Sequence, residues 1–266
     1  MSKRTIGILW LLLALCLLAT RQPAAAKEAN LWPDDTANVN FSRTWTIMGD
    51  SWGTLLLTPT KNELQQRGLD DDYLVLQGSI PGSTAALWAD NTGGILDIIK
   101  QVIAISPPQP VLYISLGGND LLTGYASQGE AIYNQIDADL RTIVAEVVSV
   151  RSDVRIIFAA YDILKMDKSL FCLVSAQTFL GSFLPWDVNP LFFRLGQIQA
   201  SIAAEYPQVV YANVWGALQG NPGAPNPFIW SPGQYFPDDE LDCVHLNDAG
   251  YAVFIDAVLD KLLGPG

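Results

Sequence analysis

The chain has 266 residues, half of them hydrophobic and only 16% charged, with a formal net charge of −12. That composition suits one domain with a sizeable core, and the acidity excludes long-range attraction to nucleic acid or anionic membrane surfaces. The single histidine, His245, excludes multi-histidine metal sites, so a zinc hydrolase is not expected and no cofactor is called for.

The chain opens with basic Lys3 and Arg4, an apolar run Ile6–Ala19 and small residues Ala24–Ala26. This order predicts a signal peptide over residues 1–26, cleaved before Lys27, and hence a periplasmic or extracellular protein. The apolar run is shorter than the ~20 residues of a membrane-spanning helix, so no stable span is expected after cleavage; an uncleaved anchor is the alternative. Loss of Lys3, Arg4 and Arg21 takes the net charge to −15 and leaves a domain over residues 27–266. Of the chain's three cysteines, Cys16 lies within the apolar run. The other two, Cys172 and Cys243, are expected to pair in an oxidising compartment, with two free thiols as the alternative.

Five short apolar segments follow: Thr44–Met48, Tyr73–Leu76, Val111–Leu116, Val154–Ala160 and Val209–Ala212. Each is rich in Val, Ile, Leu or aromatic residues and too short for a typical helix, which predicts strands. Longer stretches with helical spacing separate them. Ile132, Ile136, Leu140, Ile143 and Val147 mark one helix; Tyr251, Phe254, Ile255, Val258, Leu259 and Leu262 mark the last, with Asn247 as its cap. Strand alternating with helix predicts a parallel sheet covered on both faces, with ligands gathering beyond the carboxyl ends of its strands. Two stretches break the alternation: 165–189, apolar and suited to a cap over an acyl chain, and 219–242, rich in proline and aromatics.

Four strand-end features carry chemistry. Gly49-Asp50-Ser51-Trp52-Gly53 follows the first strand, placing a serine hydroxyl at a strand exit near a helix start; alone it better describes a turn with Ser51 as a helix cap. Ser79-Ile80-Pro81-Gly82-Ser83-Thr84 follows the second, where a glycine lets the backbone offer its N–H closely. Leu116-Gly117-Gly118-Asn119-Asp120 ends the third and supplies an amide donor of the kind an oxyanion site needs. Asp242-Cys243-Val244-His245 precedes the final helix; any histidine-based proton transfer must use this imidazole, and Asp242 is placed to orient it.

In this order and at strand ends, the four blocks resemble those of the SGNH (GDSL-like) hydrolase superfamily, and most closely its bacterial periplasmic thioesterase/lysophospholipase branch. The resemblance spans Gly49 to His245. It implies a flavodoxin-like three-layer α/β/α sandwich with a five-stranded parallel sheet. It also implies Ser51 as nucleophile, His245 and Asp242 as its partners, and an oxyanion hole of Ser51, Gly82 and Asn119. Trp52 stands where the name-giving block usually has leucine, and Leu246 where proline is common. Asp50, Trp52 and Asp120 are expected to touch substrate, with Trp52 altering the pocket wall.

The expected function is hydrolysis of carboxylic (thio)esters of acyl or lipid-like small molecules through an acyl-enzyme. The alternative within the mechanism is a carbohydrate O-acetyl esterase, with Trp230 and Tyr235 stacking on sugar rings. From another class, a non-catalytic flavodoxin-like binding module leaves the four coinciding blocks unexplained. The sequence does not specify the oligomeric state.

Overall fold

The computed structural model describes residues 41–264, apart from 160, 183–184, 227–232 and 240–241. The signal segment expected over residues 1–26, together with Trp230, therefore lies outside the described residues.

The sheet is built from β1 (Arg43–Gly49), β2 (Tyr73–Gln77), β3 (Val111–Ser115), β4 (Arg155–Phe158) and β5 (Val209–Tyr211). Its order is β2-β1-β3-β4-β5, with every pairing parallel. Burial follows that order. Thr44–Gly49 of β1 and all of β3 are buried, because these strands have neighbours on both edges and helices on both faces. The edge strand β2 instead buries Tyr73 and Val75 while Leu74 is exposed, the alternation of a half-covered strand.

Nine helices occur among the described residues: α1 (Ser51–Leu55), α2 (Leu57–Gln66), α3 (Ala85–Ala89), α4 (Ile95–Ile105), α5 (Gly118–Gln128), α6 (Ala131–Val150), α7 (Leu170–Leu180), α8 (Pro185–Glu205) and α9 (Asp248–Leu263). The periodic residues of α6 (Ile132, Ile136, Leu140, Ile143 and Val147) are all buried. Helix α9 starts at the expected cap: the Asn247 side chain accepts the Gly250 N–H at 2.9 Å. The result is the α/β sandwich with five parallel strands expected from the alternation.

Two boundaries differ from the apolar runs. The run Val154–Ala160 gives a strand only over Arg155–Phe158, because its partner β3 ends at Ser115 and the last paired residues are Ile114 and Phe158. Val154 and Ala159 are still buried, so their apolar character reports coverage and not ladder pairing. The stretch 165–189, expected as a cap, divides between two helices. It holds α7, capped by Ser169, whose side chain accepts from Cys172 N, and then the start of α8. On α7, Cys172, Ala176 and Leu180 are buried while Leu170 and Val174 face solvent.

Candidate active site

The chain leaves β1 through Gly49, where no side chain fits. A Cβ there would lie 2.1 Å from the Ser115 carbonyl oxygen, and the residue has φ +149°. The close approach lets Asp50 N–H donate to that same carbonyl at 3.0 Å, which fixes the turn into α1. Asp50 caps α1 by accepting the Trp52 N–H at 3.0 Å. Ser51 is therefore the first helical residue; its N–H has no intrahelical acceptor, and none among the described residues takes it.

The β2 loop is tied to this turn. Ile80 N–H and the Ser83 hydroxyl both donate to the Gly49 carbonyl, at 2.8 and 2.9 Å. Gly82 between them has φ +78°, a conformation glycine adopts without steric cost, and its N–H also lacks an acceptor among the described residues. The β3 loop closes the set. Asn119 Nδ2 donates to the Ser83 carbonyl at 3.0 Å, which engages one of its two amide protons. Neighbouring Asp120 accepts the N–H groups of Ala85 and Ala86 at 2.8 and 3.4 Å, fastening α3 to α5.

His245 reaches this cluster from the far end of the chain. Its Nε2 lies 2.7 Å from Ser51 Oγ, and its Nδ1 lies 3.1 Å from each carboxylate oxygen of Asp242. Asp242 Oδ1 also accepts the N–H groups of Val244 and His245 at 3.2 and 3.0 Å. Burial alone would raise its pKa. The bonds and charge of His245, with the two backbone donors, outweigh that and hold it below the usual carboxylate range.

The structure brings together Ser51, Asp242 and His245, and links the loops of Gly82 and Asn119 to the Ser51 turn. Asp50, Trp52 and Asp120, the expected substrate contacts, are all buried, between 2 and 5% exposed. Each spends its polar groups inside the protein. Asp120 caps a helix, and Asp50 caps α1 while accepting from Ser115 Oγ at 3.3 Å and from the Tyr161 hydroxyl. Burial pushes the Asp50 carboxyl up to about 6, against the lowering effect of the Tyr161 bond and the Trp52 N–H. Trp52 is turned inward. Its ring lies in the core and its indole N–H donates to the Val244 carbonyl at 2.9 Å.

Sequence reasoning missed Tyr161 and Lys168. Tyr161 lies just beyond β4, so the strand-end rule that singled out the other blocks also covered it. Its hydroxyl accepts the Gly118 N–H at 3.2 Å as well as donating to Asp50, which joins the β1, β3 and β4 ends. Lys168 Nζ donates to the carbonyls of Pro237, Asp239 and Asp242, fastening the histidine loop; no local pattern announces that role. Cys172 and Cys243 are joined in a disulfide, which ties α7 to the residue following Asp242.

A serine and backbone N–H groups at the ends of a parallel sheet, met by a histidine from a distant loop, are suited to the chemistry of a hydrolase. The chain belongs to the GDSL-like lipase/acylhydrolase family, whose sequence model matches residues 48–253. Among solved structures it is similar to LAE5, an alpha/beta hydrolase from the metagenome of Lake Arreo, Spain (14% identity, TM-score 0.57, covering 85% of this chain and 96% of that one). A catalytic mutant of Axe2, an acetylxylan esterase from Geobacillus stearothermophilus, matches at 15% identity and TM-score 0.56, covering 84% and 94%. TesA matches at 17% identity and TM-score 0.51, covering 83% and 98%. At these identities the likeness establishes the fold. No curated protein matches the chain.

Proposed function

We propose that this hydrolase cleaves carboxylic ester and thioester bonds of acyl or lipid-like small molecules, with Ser51 as nucleophile. The observation that carries the reading is the 2.7 Å contact of Ser51 Oγ with His245 Nε2, while Nδ1 of the same ring meets Asp242. His245 Nε2 takes the hydroxyl proton as Oγ attacks the carbonyl carbon, and Asp242 stabilises the imidazolium that forms. The oxyanion is received by the N–H groups of Ser51 and Gly82 and by the second amide proton of Asn119. Return of the proton to the leaving group releases alcohol or thiol and leaves acyl-Ser51. Water then repeats the sequence with His245 again as base.

Ser51→Ala tests this directly on a p-nitrophenyl ester. The expected outcome is loss of turnover by at least about 10⁴-fold with unchanged far-UV circular dichroism. Substantial residual turnover would contradict the assignment. The similarity to an acetylxylan esterase favours a second reading, removal of short O-acetyl groups from carbohydrate. Comparing p-nitrophenyl acetate, octanoate and palmitate separates the two, since only an acyl-chain site gains from the longer esters. We further propose export through the N-terminal segment, which the Cys172–Cys243 bond supports because such bonds persist in oxidising compartments.

A further inference from the structure

We propose that Trp52 is a positioning residue: its indole N–H holds His245 in reach of Ser51 and thereby sets the rate of the reaction. The inference rests on the reading of Ser51 and His245 given above. Trp52 adjoins one reacting residue in sequence, and the acceptor of its indole N–H, the Val244 carbonyl at 2.9 Å, adjoins the other. That carbonyl and the His245 N–H are the two ends of a single peptide group. The N–H end donates to Asp242 Oδ1 at 3.0 Å. The peptide plane from which the imidazole departs is thus pinned at one end by the carboxylate that also meets Nδ1. At the other end it is pinned by the residue that follows the nucleophile.

The indole is itself held firmly. Its ring makes edge-on contacts with Tyr161, Tyr251 and Phe254, at centroid distances of 5.1, 5.4 and 5.5 Å. Tyr161 donates to Asp50, and Asp50 accepts the Trp52 backbone N–H. Movement of the ring therefore disturbs the turn that presents Ser51. A leucine at position 52 would fill part of this space and donate nothing, leaving the Val244 carbonyl without the indole donor. The departure of this chain from the usual block thus bears on geometry between the reacting groups. A misplacement of about 1 Å between such groups costs on the order of 10²-fold in rate, so loosening a single tie is expected to cost about tenfold.

The test separates the N–H from the ring. Site-specific replacement of Trp52 by β-(3-benzothienyl)alanine keeps the bicyclic shape with sulfur in place of N–H, and Trp52→Phe provides a genetic counterpart. Rates on a p-nitrophenyl ester are normalised to sites titrated with a fluorophosphonate, so misfolded protein does not count. Both variants are expected to lose about tenfold in kcat with KM within about twofold, and Ser51 labelling should slow in parallel. Because His245 is the only histidine, its imidazole N–H signals in ¹⁵N-labelled protein are unambiguous; the Nδ1–H signal should broaden through faster exchange. An unchanged kcat and labelling rate in the benzothienyl variant would overturn the proposal, as would a loss carried by KM alone. If Ser51→Ala is inactive while the benzothienyl variant is fully active, only the role of Trp52 fails. If Ser51→Ala is itself active, the reading of the site fails.

Discussion

The two halves of the site are held by different means. Ser51, Gly82 and Asn119 leave the ends of adjacent strands, and their loops are short and bonded to one another through the Gly49 and Ser83 carbonyls. His245 instead ends the long connection between β5 and α9, where the described residues contain only two short helical turns, Ala217–Gln219 and Gly233–Tyr235. That connection is fixed by ties to distant parts of the chain. Asp162 accepts the N–H groups of Gly216 and Leu218 at its start. Lys168 and Cys172 hold its end, Trp52 grips Val244, and Asn247 Nδ2 donates to the Gln234 and Phe236 carbonyls. On the serine side, geometry is inherited from the sheet. On the histidine side it is assembled from individual contacts, and these should be separable by mutation.

The largest contrast is expected on the sheet side. Asn119→Ala removes an oxyanion donor and should lower kcat by about 10²–10³-fold. It also removes the bond to Ser83, yet the Gly49 bonds of Ile80 and Ser83 remain, so the melting temperature should move little. Equal losses of activity and stability would show that the serine side also depends on single contacts. On the histidine side, Cys172→Ser with Cys243→Ser should affect both properties. Opening a bridge between residues 71 apart is expected to cost about 2–4 kcal/mol of unfolding free energy. Freeing α7 from the residue after Asp242 should also lower kcat about tenfold. Urea unfolding and steady-state kinetics on the same preparations check this, and full activity in the double variant would remove the bridge from the positioning ties.

The last effect concerns pH. Asp162 is fully buried, and desolvation, only partly offset by the backbone donors of Leu218, Gly216 and Ile163, pushes its pKa up to about 6. A carboxyl raised in the folded state binds more protons there than in the unfolded chain. Its contribution to stability is therefore greatest below the unfolded pKa near 3.8 and is lost as pH rises through about 6. Asp50, also raised to about 6, acts with the same sign on the serine side. Asp162→Asn should flatten the decline in stability between pH 4 and pH 7 by up to about 3 kcal/mol. Denaturant titrations at the two pH values measure it, and an unaltered slope would contradict the account.

These two halves were also unequally legible in the sequence. All five strands overlap apolar runs, because a parallel sheet covered by helices demands apolar residues, although the edge strand β2 is only half-covered. The serine-side blocks were readable for the same reason: a strand end is visible, and the residues after it are few. The single histidine and the aspartate three residues before it were readable by count and spacing. What holds them was not. Lys168 meets carbonyls roughly 70 residues away, and a backbone acceptor leaves no mark on the sequence. Trp52 was visible as a departure, but nothing near it in the sequence marks the aromatic neighbours, Tyr161 just beyond β4 and Phe254 of α9, that draw it into the core. The apolar stretch 165–189 showed no periodicity that would divide it into α7 and the start of α8.

The central claim is that Ser51, activated by His245, is the group that attacks the substrate. Incubation of the folded protein with a fluorophosphonate probe, followed by peptide mass spectrometry, tests it most directly. The account predicts a single stoichiometric adduct on Ser51, abolished in Ser51→Ala and formed far more slowly when His245 is replaced by alanine. An adduct on another residue, or no adduct on folded protein, would contradict it.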